Sequence, residues 1–456
     1  MPDIRYVIVS DMHLGAENSI LTNLVTGTYQ TDTTIASPVM IKMVECLRDI
    51  IQKNEGSQKP TLVLNGDLVE LALTTTNNAA MAFERFLELA MPENGQLLFD
   101  NDIFFLSGNH DHNLWERSRN YGYIEYLKTL QKGEAIKDEI HSTDMFNPQK
   151  VPENLLNALV QRYPHLRDVN VFATYPAHAI LSEDKQKCVI FCHGHYVESM
   201  YSLMTSLRSK IFPDRLKPQT FEELEMENYA WVDFFWSTLG RSGAVGKDID
   251  LIYDKIQDPS QVKMMIHNIA LSFTDSKRNK ILNWAEKELL QEILMITVGR
   301  LATNERSEPE VVLTPDASAG LKQYMELFVM NQFKKELGDY VPPNVSFVFG
   351  HTHKPFQQLI TYEGYKTAVK IYNSGGWVVD TMKQQPLHGG SVILVDEHFD
   401  VVVLQMYKEG KYNITVEELQ NVNEESCEFY KKLNSVIDMQ SEPWSGFAKI
   451  VAEEVI

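Results

Sequence analysis

Seven side chains that can bind metal ions each follow a short apolar run. They are Asp11 and His13 after IRYVIVS, Asp67 after TLVLN, Asn109 after DIFFLS, His193 after CVIFC, and His351 and His353 after VSFVFG. Runs of this kind predict buried strands. Because ligands in α/β sheets bind at the carboxyl ends of the strands, we expect these side chains to converge at one edge despite their separation in sequence.

The types and spacing of these side chains favour a pair of hydrolytic metal ions. Asp11 and His13 are two residues apart, as are His351 and His353, so in an extended chain both members of a pair point to one side. Imidazole, carboxylate and amide oxygen without thiolate form the donor set of Mn, Fe or Zn in hydrolytic sites. A shared Asp carboxylate can bridge two ions roughly 3.5–4 Å apart, and such a pair generates hydroxide at neutral pH.

The charge of such a site selects its substrate. Two divalent ions outweigh Asp11, Asp67 and a bridging hydroxide, so the site is net positive and prefers an anion. Phosphate fits, because metal ions stabilise the charge that develops on its oxygens and on the leaving group. We therefore predict a phosphoester substrate, either a phosphorylated small molecule or a nucleotide-type compound.

The residues around these side chains resemble the ordered motifs of the calcineurin-like metallophosphoesterases. The matching segments are DMH at 11–13, GDLVE at 66–70, GNHD at 108–111, HG at 193–194 and GHTH at 350–353. A single motif of this length arises readily by chance, but all five in order, each after a strand, very rarely do. The resemblance covers roughly residues 1–195 and 345–405.

This resemblance implies a role for each residue. One metal ion would be held by Asp11, His13, Asp67 and His353, and the other by Asp67, Asn109, His193 and His351. A hydroxide between the two ions would attack phosphorus in line. His110 would protonate the leaving oxygen or stabilise the transition state, with Asp111 orienting its imidazole. Glu70 stands where the family often has Asp.

Other polar residues near these motifs are candidates for substrate contacts. His195 lies two residues beyond His193, and either could be the metal ligand, although the resemblance favours His193. Arg117 and Arg119 follow the GNHD segment, and Arg241 lies in the helical region described below. Their guanidinium groups could contact a substrate anion. The alternative is that they only face water, as most charged side chains do.

The elements that must position these residues alternate between strands and helices. Helices are predicted at 39–51 and near 79–90, between the first strands, which favours α/β architecture. Further strand-like runs indicate two packed sheets; they lie at 169–174, 367–373, 391–396 and 401–407. We therefore expect a two-sheet α/β sandwich, an αββα metallophosphoesterase-like fold, with a large helical insertion.

The predicted catalytic domain comprises residues 1–195 and 345–410. Residues 196–344 have the apolar spacing of helices, at 221–239, 260–273, 276–303 and 317–337. Motif residues flank this region on both sides, so it must leave and rejoin the catalytic domain near the site. We expect a cap over the site, with a remote structural or oligomerisation domain as the alternative. Residues 411–456 are predicted to form an acidic, peripheral C-terminal extension.

Composition excludes several classes of protein. The 456 residues include 42 Lys and Arg against 62 Asp and Glu, a formal charge of −20, which disfavours broad binding of nucleic-acid phosphates. Four irregularly spaced cysteines are too few for a disulfide framework or a four-cysteine zinc site. No secretory signal pattern and no apolar stretch of about 18 residues is found, so we expect a soluble, cytoplasmic protein without a transmembrane segment.

Four functions are compatible with the pattern. The intact ligand set favours a phosphomonoesterase or phosphodiesterase that acts under a helical cap. A nuclease uses related chemistry, but the acidic charge counts against it. A lipid-precursor hydrolase is a further alternative, because SDMHLG resembles the SDLHLG opening of UDP-diacylglucosamine pyrophosphohydrolases and the aromatic helix YAWVDFFW could line an acyl groove. A non-catalytic scaffold would be free to lose ligands that this chain keeps.

Overall fold

The computed structural model describes residues 2–28, 30–238, 308–381, 383–420 and 425–455. The predicted helices at 260–273 and 276–303 lie outside these residues, and so does Arg241.

Fifteen strands occur in the described residues, and they form two large sheets and one two-stranded sheet. They are β1 Ile4–Val9, β2 Thr22–Leu24, β3 Thr31–Ala36, β4 Thr61–Asn65, β5 Asp102–Leu106, β6 Val151–Pro152, β7 Asn170–Thr174, β8 Ala177–Leu181, β9 Lys187–Cys192, β10 Asn344–Phe349, β11 Phe356–Ile360, β12 Val369–Asn373, β13 Gly389–Asp396, β14 Val401–Lys408 and β15 Thr415–Glu417. Every run that the sequence predicts as a strand overlaps one of them.

Helices connect and cover the strands. They are α1 Pro38–Ile51, α2 Thr76–Ala90, α3 His112–Thr129, α4 Asn154–Val160, α5 Leu203–Ile211, α6 Phe221–Val232, α7 Pro315–Gln323, α8 Met330–Leu337, α9 Glu428–Val436 and α10 Trp444–Glu454. Wider π-helical turns at Asp233–Thr238 and Tyr324–Val329 extend α6 and join α7 to α8. Among the described residues, no helix combines the length and the apolar character that crossing a membrane would require.

The first sheet has eight strands in the order β15-β14-β13-β1-β4-β5-β7-β6. Its central strands β1, β4, β5 and β7 are parallel, so their carboxyl ends share one edge. The second sheet has the order β11-β12-β10-β9-β8, and β9, β10 and β12 are parallel. The parallel strands of the two sheets include all those that precede the predicted metal ligands.

The two sheets pack face to face. Side chains alternate along each strand, so Ile8 of β1 and Val348 of β10 lie in the apolar layer between the sheets, whereas Val7 and Val9 face the opposite way. Helix α1 covers the outer face of the first sheet. On the second sheet, Tyr324 packs its ring 5.8 Å from that of Phe347. These layers confirm the predicted two-sheet αββα sandwich, while the boundaries of a separate insertion domain stay a prediction.

The C-terminal helix α10 is part of this sandwich. Trp444 and Phe447 are fully buried, the indole N–H of Trp444 donates to Asp49 Oδ2 of α1 at 3.0 Å, and the Phe447 ring lies 6.4 Å from Trp377. The expectation of a peripheral tail is therefore wrong for α10. The tail is acidic overall, so its composition did not indicate the apolar face that α10 packs against α1.

Candidate metal centre

The loops that follow the strands are tied to one another by backbone hydrogen bonds. Asp11 N–H donates to Gly66 O, and His13 N–H donates to Asp67 O, both at 2.9 Å. These bonds continue the parallel pairing of β1 with β4 beyond the sheet edge. A further hydrogen bond links the loops of the two sheets: His351 N–H, after β10, donates to Asp11 Oδ1, after β1, at 2.9 Å. These hydrogen bonds hold the loops that follow β1, β4 and β10 against one another.

Five of the seven predicted ligands adopt left-handed backbone conformations. Their φ angles are 51° at Asp11, 44° at His13, 47° at Asp67, 71° at His351 and 57° at His353. Such angles are uncommon outside glycine, and each costs of order 1–3 kcal/mol. Backbone strain of this kind clusters at functional sites, so its concentration here supports a functional role for the crevice.

Glycines before the ligands make room for their neighbours. A Cβ on Gly108 would lie 2.2 Å from Asp67 Oδ1, and one on Gly350 would lie 2.0 Å from Asp11 Oδ2. Any larger residue would overlap a carboxylate, which explains why glycine precedes Asn109 and His351.

Asp11, His13 and His353 form the first cluster of donor atoms. Their donor atoms lie within 4.8 Å of one another, and all three residues are buried. Asp11 Oδ2 and His13 Nε2 have no hydrogen-bond partner in the part of the chain that the structure describes. Buried polar atoms are normally paired, so a metal ion fits this set of donors.

Asp67, His193 and His351 form the second cluster, again within 4.8 Å and buried. His193 Nε2 lies 3.1 Å from Asn109 Oδ1, which brings the predicted amide ligand to the same place. Asp67 Oδ2 lies 3.3 Å from His193 Nε2 and 3.7 Å from His13 Nε2. One carboxylate oxygen therefore stands between the two clusters, where a bridging ligand would be needed.

One ring nitrogen of each histidine in the two clusters bonds an oxygen. The pairs are His13 Nδ1 with Glu70 Oε2 at 2.9 Å, His353 Nδ1 with Asp380 Oδ2 at 2.8 Å, His193 Nδ1 with Asn65 O at 3.3 Å, and His351 Nε2 with Glu198 Oε1 at 2.6 Å. Such bonds fix the tautomer and orientation of metal-binding imidazoles. Sequence reasoning missed Asp380 and Glu198, since neither lies in a motif.

His110 lies beside the first cluster, with its ring 4.7 Å from that of His13. Its Nδ1 bonds Glu70 Oε1 at 3.0 Å. Asp111 instead accepts the backbone N–H groups of Gly108 and Leu68, both at 2.7 Å. The geometry therefore favours Glu70 over Asp111 as the residue that orients the His110 imidazole, while Asp111 holds the two loops through their backbone N–H groups.

The electrostatics of the site centre on Asp67. Burial alone would raise the pKa of Asp67, but His193, His110 and His13 together hold it well below the usual range. Burial alone would lower the pKa of His193, but Asp67 and Asp11 raise it to about 9. The carboxylate is thus held as an anion, and a bound metal ion would replace the proton on the neighbouring imidazole.

The contacts of His195, Arg117 and Arg119 differ, and so does the support for each as a ligand or a substrate contact. His195 Nε2 bonds the Tyr175 hydroxyl at 3.0 Å, and His195 is not in the second cluster, so the geometry favours His193 as the ligand. Arg119 is buried and bonds Glu116 and Glu139, which does not support a substrate contact. Arg117 is exposed on α3, and its predicted substrate contact stays a prediction.

Aromatic side chains from the described start of the 196–344 region lie beside the metal clusters. The Tyr201 ring lies 5.0 Å from that of His351 and 5.1 Å from that of Trp236, and Trp236 lies 6.4 Å from His110. Together with Glu198, they show that the described start of the 196–344 region borders the metal clusters.

Comparison with known families agrees with this geometry. The family of calcineurin-like phosphoesterases matches residues 4–355. The chain belongs to this family, whose members are metal-dependent phosphoesterases, and the resemblance seen in its motifs is confirmed. A comparison with the curated proteins gives no match.

Proposed function

We propose that the protein is a phosphoester hydrolase that works with two metal ions, drawn from Mn, Fe and Zn. The first would be held by Asp11, His13, Asp67 and His353, and the second by Asp67, Asn109, His193 and His351. Two such ions supply an activated water nucleophile and positive charge for the phosphoryl oxygens. The observation that carries the proposal is the position of Asp67 Oδ2 between His13 and His193.

We assign to His110 the role of proton donor to the leaving group. Glu70 holds its Nδ1 at 3.0 Å, beside the first cluster, and a proton donor in that place can protonate the departing oxygen. Glu70 also bonds His13. One carboxylate therefore aligns a metal ligand and the proton donor, which keeps the two in a fixed relation during the reaction.

The aromatic side chains beside the metal clusters support a small ester as the substrate. Tyr201 and Trp236 present aromatic rings beside His351 and His110, and flat rings of this kind pack against an apolar or aromatic leaving group. We therefore keep a phosphorylated small molecule or a nucleotide-type compound as the substrate. A nuclease is disfavoured by the charge of −20. A scaffold is disfavoured because buried His and Asp donors gather in two adjacent clusters.

Hydrolysis of p-nitrophenyl phosphate and of its bis-ester, with added Mn²⁺ and parallel metal analysis, tests the proposal. We expect turnover of at least one ester, and we expect Asp67→Ala to lose both activity and bound metal. Asp438→Ala, which changes an exposed carboxylate, is the matched control and should behave as the wild type. No turnover of either ester, together with unchanged metal content in Asp67→Ala, would rule the proposal out.

A further inference from the structure

The segment 210–217, Lys-Ile-Phe-Pro-Asp-Arg-Leu-Lys, is exposed at every position. Ile211 is 52% exposed, Phe212 49% and Leu216 85%. Folded proteins rarely present several large apolar side chains to water so close together unless the surface binds something. We call residues 210–217 the basic apolar segment.

This segment is held in place by polar contacts. Helix α5 ends at Ile211, where Phe212 N–H bonds Arg208 O, and Pro213 then prevents the helix from continuing. Arg208 also donates to Leu216 O at 2.6 Å and pairs with Glu227 of α6 at 2.6 Å. The apolar side chains therefore point outward from a defined backbone that does not need them for its own packing.

The charge of the segment is opposite to that of the chain. Lys210, Arg215 and Lys217 stand against the single acidic residue Asp214, in a protein with a formal charge of −20. The Arg215 guanidinium lies 5.0 Å from the centre of the Phe212 ring, so cationic and apolar groups are mixed in one surface. A local patch of this sign attracts anionic partners even when the whole molecule is acidic.

We propose that the basic apolar segment docks on the surface of an anionic lipid bilayer. Apolar side chains enter the boundary between headgroups and acyl chains, and Lys and Arg bind anionic headgroups. Nucleic acid would use the cations but would leave Ile211 and Leu216 exposed. A symmetric contact with a second copy would bring like charges together, in a molecule that is already strongly acidic.

The segment is connected to the metal clusters by one short helix. Tyr201, which contacts His351, is two residues before α5, and the nine residues of this helix rise about 14 Å to Ile211. A surface cavity of about 370 Å³ opens beside the segment, between Arg208, Leu216 and Met226. Docking there would hold the crevice near the lipid headgroups. This inference concerns location and does not depend on the proposed reaction.

Flotation of the metal-loaded, full-length protein with lipid vesicles tests the proposal. We expect binding to phosphatidylcholine vesicles that contain about 30% phosphatidylglycerol, and much weaker binding to pure phosphatidylcholine. Phe212→Asp should weaken the binding by roughly tenfold or more, because an anchoring ring is replaced by a repelled charge. Lys217→Glu should weaken it by at least about fivefold.

Ile136→Asp is the matched control, since Ile136 is an apolar residue that is 65% exposed and is not part of the basic apolar segment. It should bind vesicles as the wild type does, and Phe212→Asp should keep the wild-type melting temperature and rate of ester hydrolysis. Failure of the wild type to bind anionic vesicles, equal binding to both vesicle types, or wild-type binding by Phe212→Asp would each overturn the proposal. A dimer that Phe212→Asp converts to a monomer, without vesicle binding, would assign the segment to self-association instead.

Discussion

At the scale of single residues, the two ring nitrogens of a histidine in the site have different contacts. In His13 and His353, Nδ1 bonds a carboxylate from outside the cluster while Nε2 faces Asp67 or Asp11. A histidine fixed in this way enters the metal site as the correct tautomer and loses little rotational freedom on binding. The outer carboxylates therefore help to set the geometry of the ligands.

The ligands could be predicted from the sequence, but their supports could not. Asp11, His13 and the other motif residues are recognisable because a strand precedes each of them and their spacing is fixed. Asp380 reaches His353 from a loop after β12, and Glu198 reaches His351 from the chain after β9. Those contacts depend on how the loops are arranged in three dimensions, and no local sequence pattern indicates that arrangement.

Glu70→Gln tests the role assigned to the shared carboxylate. An amide offers only one acceptor oxygen, so His13 or His110 must lose its partner. We expect kcat at saturating Mn²⁺ to fall by roughly 10–100-fold, with the fold retained. Steady-state kinetics and thermal melting measure this.

Two comparisons make the result specific. Glu183→Gln, at an exposed position, should leave kcat unchanged. Asp111→Asn should mainly lower the free energy of unfolding, by about 1–3 kcal/mol, because its side chain accepts backbone N–H groups. If Asp111→Asn lowered kcat as much as Glu70→Gln at unchanged stability, Asp111 would have to be the orienting residue after all.

At the scale of elements, strands were easier to predict than helices. Buried strands such as β4 and β10 are short apolar runs, and the sequence places them within a residue or two. Helix α3 was not predicted, because its buried residues are confined to the first turns and the apolar residues of its later turns, such as Ile124 and Leu127, are exposed. Helix α10 was missed for a similar reason, since its buried face comprises only a few residues in an acidic tail.

Trp444→Ala tests whether α10 belongs to the core. The substitution removes a buried indole and its hydrogen bond to Asp49. We expect the free energy of unfolding to fall by about 3–5 kcal/mol, as for other large-to-small changes of buried aromatic residues. Urea denaturation measures it, with Lys449→Ala on the exposed face of α10 as the control. A loss no larger than that of the control would mean that α10 is peripheral.

Helix α6 is joined to α3 by a buried ion pair. His112 Nε2 lies 2.7 Å from Glu225 Oε1, and both side chains are fully buried. Glu225 also accepts hydrogen bonds from the hydroxyls of Tyr175 and Tyr196. Burial alone would lower the pKa of His112, but Glu225 and Asp233 raise it to about 10. This network fastens the start of the 196–344 region to the loop that carries His110.

The ion pair predicts a stability that depends on pH. Because the folded pKa of His112 is raised from about 6.5 to about 10, the stabilisation is complete below pH 6.5 and is lost as the pH rises through 10. His112→Gln should therefore cost roughly a few kcal/mol near pH 6 and much less near pH 10. Urea denaturation at both pH values measures the difference. His398→Gln, at an exposed histidine, should show no such change, and a constant cost for His112→Gln would contradict the account.

At the scale of the whole molecule, the two sheets meet so that one edge collects the ends of their parallel strands. The number of strand-like runs predicted two packed sheets, and the position of the ligands after strands predicted that these side chains converge. It did not predict the order of the strands, which places β13 between β1 and β14 and sets the antiparallel side of the first sheet. Strand order depends on pairing between segments that are distant in sequence. The apolar pattern of one strand does not indicate which other strand it will pair with.

Anomalous X-ray scattering from crystals loaded with Mn²⁺ is the most direct test of the metal centre. We expect two peaks roughly 3.5–4 Å apart, with the Asp67 carboxylate between them. One peak should lie beside His13 and His353, and the other beside His193 and His351. A single peak, no peak, or peaks only at another cluster of possible donors, such as His112, Glu116 and Glu225, would contradict the account.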